Sequence, residues 1–430
     1  MNFITRVGQL LYAGARAHAD WEISNARIIL GDRKRVFLLG LLLLPILIGG
    51  VVYADEIAGQ IAGALPDQVG GKTAYCPSFF TLRIFIASIL IGLCAGLITG
   101  CIGAGGGFII APALMSAGIK GILAVGTDLF HIFAKAIMGS VLHRKLGNIS
   151  VVLAFIFLIG SIIGATVGGW INRVLYEINP IISDAFITSI YVLMLGALGL
   201  YTLIDFLKAR KATGGSDMHG GKDEGVDLGN LPRKLQAVKL PPMVTFDQNL
   251  IPGGRQISSW FVILSGLLVG LCAAIMGVGG GFLTFPIFVY FLGVSSMTTV
   301  GTDIFQIVFT AGYAAIGQYA IYGFIFYTLA MGMLLGSLIG IQIGAMTTKV
   351  VKGITIRGFY AMAVLAGFIN RAFALPAKLS SVGAFPLSPK TAAILNALGT
   401  WIFFVFIGIF AVWVIGTFVK NIKILQGREA

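Results

Sequence analysis

Two glycine-rich turns and two short polar helix faces are the residues of this chain whose types and spacing suit chemistry. Gly103-Ala104-Gly105-Gly106-Gly107-Phe108 recurs as Gly277-Val278-Gly279-Gly280-Gly281-Phe282, each copy lying in an apolar run. Three successive glycines cost about 1 kcal/mol each relative to Ala inside a helix, so the helix is expected to break at each turn. In a bilayer such a break is tolerated only where its freed backbone groups face protein or a watery cavity. The half-helix that follows offers free N–H groups and a positive dipole end, which suit an anion. Gly105, Gly106 and Gly107 with Gly279, Gly280 and Gly281 are therefore candidate anion-binding residues, although a tight helix crossing would also use glycine. The triple glycine resembles a phosphate cradle only superficially. It lacks a following Lys-Ser/Thr and a flanking strand pattern, so a nucleotide site is not expected.

Asp128, His131 and Lys135 fall at i, i+3 and i+7, on one face of a helix, and the matched positions in the second copy are Asp303, Gln306 and Thr310. An Asp at the centre of a membrane helix costs about 2.5–3.5 kcal/mol on insertion scales, so such residues face a bundle interior or a cavity. The chemistry expected of Asp128, His131, Asp303 and Gln306 is proton exchange, or a polar lining; capping and packing are the plainer alternative. Lys135 is ambiguous, because its long stem can snorkel to an interface. Thr127 and Thr302 place a hydroxyl beside each aspartate, for an anion oxygen or for their own helix backbone. Arg173, Glu177 and Arg371 are read as interface anchors near outer helix ends, and Asp184 and Asp205 as residues near segment ends.

These residues sit in a duplicated frame. Pro112 recurs as Pro286, Gly126-Thr127-Asp128 as Gly301-Thr302-Asp303, and Gly160-Ser161, Gly164 and Gly168 as Gly336-Ser337, Gly340 and Gly344. The offsets drift only from 174 to 176 across the passage. An apolar, duplicated chain with glycine breaks in matching places has the pattern of a secondary transporter.

The 430 residues are 57% hydrophobic and 11% charged, against about 25% charged in a soluble domain, so the chain is expected to cross a lipid bilayer many times. Val36–Tyr53, Val151–Ile171, Ile181–Leu207, Phe324–Met346 and Thr391–Phe418 are long enough to span. The net charge of +13 is assigned to short cytoplasmic loops rather than to nucleic acid. The 59 glycines suit close helix packing. The four cysteines form no CxxC or Cys/His cluster, so no metal or cofactor is expected. The start of the chain lacks the pattern of a cleavable signal.

Basic residues set the orientation. Arg33-Lys34-Arg35, His143-Arg144-Lys145 and the stretch from Lys208 to Arg255 are placed inside, together with both termini (Lys420 and Lys423 at the far end). The segment ending at His143-Arg144-Lys145 is basic, whereas its counterpart ending near Tyr319–Gly323 is uncharged, and Lys349, Lys352 and Arg357 follow only after the next span. The two copies thus read as crossing in opposite directions. The expected fold class is an all-α polytopic membrane protein of two inverted-topology repeats with Gly-broken helices, plus extra N- and C-terminal spans. Its divisions are a cytoplasmic amphipathic segment 1–35, a span 36–53, an outside loop 54–80, repeat 1 over 81–207, a cytoplasmic linker 208–256, repeat 2 over 257–376, and a C-terminal span and tail 377–430. The crossings number about twelve if the short Gly-flanking segments span, or eight if they are re-entrant.

The doubled Gly-x-Gly-Gly-Gly-Phe turn, each copy followed four residues later by Pro and then by a Gly-Thr helix start, resembles the TauE/SafE family of membrane permeases over about residues 84–205 and 258–376. The resemblance implies an inner-membrane carrier of small sulfur-containing anions, sulfite or an organosulfonate such as sulfoacetate. The N-terminal span, long linker, C-terminal span and the Asp after Gly-Thr depart from the shorter members of that family. Alternating access coupled to the proton gradient, with Asp128 and Asp303 exchanging the proton, is the expected mechanism. A channel is the alternative. An integral-membrane enzyme is less expected, since no HExxH or G-x-S-x-G motif occurs. The sequence is compatible with a homo-oligomer.

Overall fold

The computed structural model describes residues 82–102, 106–145, 149–212, 230–247, 253–348, 350–351 and 353–421. The amphipathic segment, first span and outside loop expected over 1–80 lie outside the described residues, as do Gly105, Cys76, Lys349, Lys352 and Lys423.

The described chain is almost wholly helical. Repeat 1 contributes α1 (Leu82–Ile102), α2 (Gly107–Ser116), α3 (Gly121–Lys145), α4 (Val151–Ile178) and α5 (Pro180–Ala212). Between the repeats come α6 (Asn230–Ala237) and an antiparallel hairpin of β1 (Met243–Phe246) and β2 (Arg255–Ser258), paired Met243 to Ser258. Repeat 2 then supplies α7 (Ser259–Met276), α8 (Gly281–Pro286), α9 (Ser296–Tyr313), α10 (Tyr327–Thr347) and α11 (Gly353–Ser381), followed by α12 (Pro389–Lys420). A wider π-helical turn extends α8 over Ile287–Leu292 and α9 over Ala314–Ala320.

Seven helices among the described residues are long and apolar enough to cross a membrane: α4, α5, α7, α9 with its extension, α10, α11 and α12. Four of them cover spans read from the sequence. The chain is a multi-pass membrane protein. By contrast α2, ten residues long, measures about 15 Å, half of a hydrocarbon core about 30 Å thick.

Glycine decides which helices pair. A Cβ placed on Gly336, Gly340 or Gly344 of α10 would run into the backbone oxygens of Ile89, Leu93 and Leu97 on α1. In the matching pair, Gly160, Gly164 and Gly168 of α4 lie against the backbone oxygens of Ile263, Leu267 and Leu271 on α7. Without side chains between them the backbones close to contact, the packing that dispersion favours in lipid. Each tight pair takes one helix from each repeat. α5 and α11 pack together as well, as do α3 and α9.

The stretch expected to be only a linker is partly folded. Asp247 accepts hydrogen bonds from the N–H (3.0 Å) and hydroxyl (2.7 Å) of Ser295, the residue that caps α9. Gln236 of α6 donates to the Leu292 carbonyl at 2.8 Å, and Arg255 donates to that of Gly293 at 2.9 Å. The start of α3 in repeat 1 has its own carboxylate: Gly121 N–H donates to Asp184 Oδ1 at 2.7 Å, while Asp184 Oδ2 pairs with Lys378 at 2.8 Å.

Candidate functional site: the paired glycine turns

Each turn works by backbone conformation. Gly106, just before α2, has φ 68°, and Gly280, just before α8, has φ 90°, a left-handed geometry that a side chain resists. The residue before each helix is a glycine and brings no side chain to cap it, and the first N–H groups of a helix have no carbonyl of their own helix to bond. The two turns abut. The Cβ direction of Gly107 points at Ile132 Cδ1 (2.8 Å) and Val278 Cα (3.1 Å), and that of Gly279 points at Ile132 Cγ2 (2.6 Å). Ile132 of α3 is thus the wedge between them.

The two threonine hydroxyls are engaged, and in the same way. Phe326 N–H donates to Thr127 Oγ1, and Ser150 N–H donates to Thr302 Oγ1, both at 3.0 Å. Each threonine therefore holds the residue at or next to the start of the other repeat's fourth helix. The bonds bring the beginning of α3 beside the segment that follows α9, and the beginning of α9 beside the segment that follows α3.

Behind the turns stand two polar chains. In repeat 2, Gln306 Nε2 donates to Asp303 Oδ1 at 2.9 Å, Thr310 donates to Gln306 Oε1 at 2.7 Å, and Ser161 Oγ of α4 lies 2.8 Å from Thr310 Oγ1. Asp303 Oδ2 would be 3.1 Å from a Cβ on Gly281, so its carboxylate lies at the first residue of α8. In repeat 1, His131 Nε2 lies 3.0 Å from Ser337 Oγ of α10, and His131 Nδ1 lies 3.6 Å from Asp128 Oδ1. Asp128, His131, Thr127 and Thr302 are fully buried, Gln306 nearly so, and Asp303 is 7% exposed. Lys135 turns inward, and its ammonium donates to Thr99 Oγ1 at 3.4 Å, beside the Gly106 turn. Of the predicted residues, Gly106, Gly107, Gly279, Gly280 and Gly281 meet at the turns, with Asp303 at the start of α8. Asp128 lies one turn before Ile132 on α3, His131 next to Ile132 in sequence, and Gln306 one turn beyond Asp303 on α9.

Sequence reading missed Ser161 and Ser337. The signal was present, because they are the same position in the two copies, each directly after a packing glycine. The arginines need correction. Arg371 is 2% exposed, and it donates from Nε to Asn370 Oδ1 (2.7 Å) and from a terminal nitrogen to Ser116 Oγ (2.6 Å) and the Pro112 carbonyl (3.3 Å), at the C-terminal half of α2. A cation there faces the negative end of a helix. Arg173 is likewise buried, bonded to the carbonyl and side chain of Gln318 and stacked 4.1 Å over Tyr322. Both are held by partners within the protein rather than left at its surface. Three polar side chains close the end of α7 ahead of the second turn. Asn172 donates to Ile275 O (3.1 Å), Tyr319 to Ala274 O (2.6 Å) and Tyr191 to Met276 O. Cys94, Cys101 and Cys272 are free thiols, and no cluster of potential metal ligands occurs among the described residues. A recess lined by Ser380, Phe385, Pro386 and Leu387 shares no residue with the turns.

A helical, multi-pass membrane protein built from two like halves around paired helix breaks is the class these observations define. Residues 88–371 match the family described as sulfite exporter TauE/SafE, and the chain belongs to that family. It is 26% identical over 270 residues to the probable membrane transporter protein YjnA of Bacillus subtilis (strain 168), covering 60% of this chain and 89% of that protein. It is 24% identical over 280 residues to the probable membrane transporter protein YunE of the same organism, covering 63% and 91%. No solved structure matches it.

Proposed function

We propose that this membrane transporter is a secondary carrier of small sulfur-containing anions, sulfite or an organosulfonate such as sulfoacetate, working by alternating access across the inner membrane and coupled to the proton gradient. The observation that carries the reading is the meeting of two helix starts, each opened by a left-handed glycine, at Ile132 and Val278. Two convergent N–H ends suit one small oxyanion, and half-length helices meeting mid-protein are where carriers hold substrate. The substrate class comes from the family's description. The two relatives are named as probable transporters without a substrate.

The halves act as inverted-topology repeats. The crossed bonds of Thr127 and Thr302 support this, since each ties the start of one helix to the segment beyond its counterpart's end. α2 and α8 are re-entrant, a reading supported by the length of α2. Both termini and the segment 208–256 face the cytoplasm. Asp128, His131, Asp303 and Gln306 form the proton-exchanging or polar lining. Burial of the turns supports an occluded state, which opens to one side as packed groups of helices shift.

The test is anion counterflow in proteoliposomes, comparing sulfite, sulfoacetate, thiosulfate and sulfate with lactate. Saturable uptake of a sulfur anion, lost when Gly106 or Gly280 is replaced by Leu, is the expected result. Absence of saturable uptake of every sulfur anion by folded protein overturns the substrate class, and uptake that never saturates makes the protein a channel.

A further inference from the structure

The polar chains on α3 and α9 begin at the same sequence position and end differently. On α9 the donors run in one direction. Thr310 has one hydroxyl hydrogen and spends it on Gln306 Oε1, while Ser161 Oγ lies 2.8 Å from Thr310 and 3.2 Å from the Leu158 carbonyl. The amide of Gln306 passes the direction on, and Asp303 Oδ1 receives it. The row is an ordered sequence of donors that ends on a carboxylate acceptor. None of its side-chain atoms is both buried and unpartnered among the described residues.

On α3 the accounting leaves a gap. Ser337 Oγ lies 3.2 Å from the Leu334 carbonyl and 3.0 Å from His131 Nε2; with its single hydrogen on Leu334, its oxygen accepts and Nε2 carries the hydrogen. A neutral imidazole with its hydrogen on Nε2 has a bare lone pair on Nδ1. That lone pair faces Asp128 Oδ1 across 3.6 Å. Nδ1 and both oxygens of Asp128 are buried and complete no hydrogen bond. Two lone pairs opposed in a dry interior repel, and one proton, on either atom, removes the repulsion and leaves the pair with no net charge.

Other groups face this pair from the surrounding helices. Lys135, further along α3, acts on Asp128 through its charge and donates to Thr99 of α1. The Ala111 N–H of α2 lies near Asp128. Tyr191 of α5 faces Asp128, with Arg371 of α11 and Tyr319 beyond it, and its hydroxyl is spent on the Met276 carbonyl of α7. α10 offers Ser337, and Asp303 of α9 is turned to Gln306 and the start of α8.

We infer that the coupling proton is held by the Asp128–His131 pair of the first repeat alone, and that Asp303 in the second repeat is a fixed hydrogen-bond acceptor. The inference rests on the proton-coupled reading for its role in transport, but the proton site itself stands apart from any substrate. Duplication supplied two equivalent positions. Exchange of a His for a Gln made one of them a proton holder and the other a structural strut.

The full chain in lipid nanodiscs, examined by infrared difference spectroscopy between acid and alkaline buffer, tests this without a substrate. The expected result is a protonated-carboxyl band that titrates in the wild type, disappears in Asp128→Asn, moves in His131→Gln and persists in Asp303→Asn. No titrating band in the wild type, its survival in Asp128→Asn, or its loss in Asp303→Asn overturns the inference. His131→Gln keeps the test decisive if Asp128→Asn fails to fold, because a band unmoved by that change also overturns it. Sulfite uptake by wild-type proteoliposomes, with and without a pH gradient, separates the two readings. A titrating band with gradient-independent uptake overturns the coupling role and the proton-coupled reading together, while the proton site stands. In His131→Gln the ratio of gradient-driven uptake to counterflow is expected to fall at least tenfold.

Discussion

The glycine-lined contact between α1 and α10 supports a quantitative comparison. Gly336 and Gly408 are both helical glycines in apolar spans, and both receive the same substitution, Ala. At Gly336 the new methyl carbon would lie inside the Ile89 carbonyl oxygen, with Leu93 N at 2.6 Å and Ile89 C at 2.9 Å. All three are backbone atoms, so no rotamer change relieves the overlap and the helices must separate. Overpacking of this kind costs about 1–3 kcal/mol. At Gly408 of α12 nothing lies within 4 Å, and the change gains up to about 1 kcal/mol of helix propensity. At about 2 °C per kcal/mol for a chain of this size, Gly336→Ala should melt roughly 2–6 °C lower than the wild type and Gly408→Ala at or slightly above it. The assay is tryptophan fluorescence of purified protein in one detergent at one scan rate, because unfolding of such proteins is generally irreversible and scan-dependent. Equal midpoints for the two variants would refute the claim that bare backbone contact holds α1 to α10.

Three further outcomes are expected. Thr302→Val, which strands the Ser150 N–H, should cost about 1–3 kcal/mol, and Thr302→Ser should restore most of the loss in the same melting assay. Gly280→Ala forces a side chain into φ 90°, a strain of about 1–2 kcal/mol, and brings its Cβ to 2.7 Å from Val269 Cγ1. Its sulfite counterflow should fall further than the decline in folded protein explains, and a parallel fall would assign the turn to packing alone. Lys378 is 36% exposed, so Lys378→Ala should cost only about 0.2–1 kcal/mol and be masked by salt. Asp184→Ala also strips the Gly121 N–H of its acceptor, and adds about 0.5–2 kcal/mol that salt does not mask; the midpoints of the two variants in low and high salt check the order.

Much of this arrangement is legible in the residues themselves. The repeat, the breaks at Gly106 and Gly280 and the inward polar faces at Asp128 and Asp303 follow from local rules, because burying a charge or breaking a helix in lipid leaves few options. The partner of each glycine stripe does not follow. Spacing of four residues at Gly160, Gly164 and Gly168 announces a close contact but not with which helix, and the answer lies in the opposite repeat. The threonine hydroxyls read as contacts for an anion or for their own helix, because the N–H groups they accept are remote in sequence, from Ser150 and Phe326. Arg371 was placed at an interface because a lone arginine in a membrane segment ordinarily escapes toward water. Its partners, Ser116 and the Pro112 carbonyl, come from the far half of the chain. The fold within the linker was hidden by composition: the stretch reads as polar and basic, and strands of four residues give too little alternation to outweigh it.

Pairing both glycine-striped helix contacts across the duplication has a bearing on how the molecule is made. When the ribosome has finished α5, the glycine faces of α1 and α4 have no mate, and the mates emerge only with α7 and α10. The first half must wait in the bilayer as an incomplete surface, open to lipid or to assembly factors. A polypeptide cut between the halves would then yield two complementary pieces, each unable to close its own backbone contacts and each competent to restore the whole when supplied with the other.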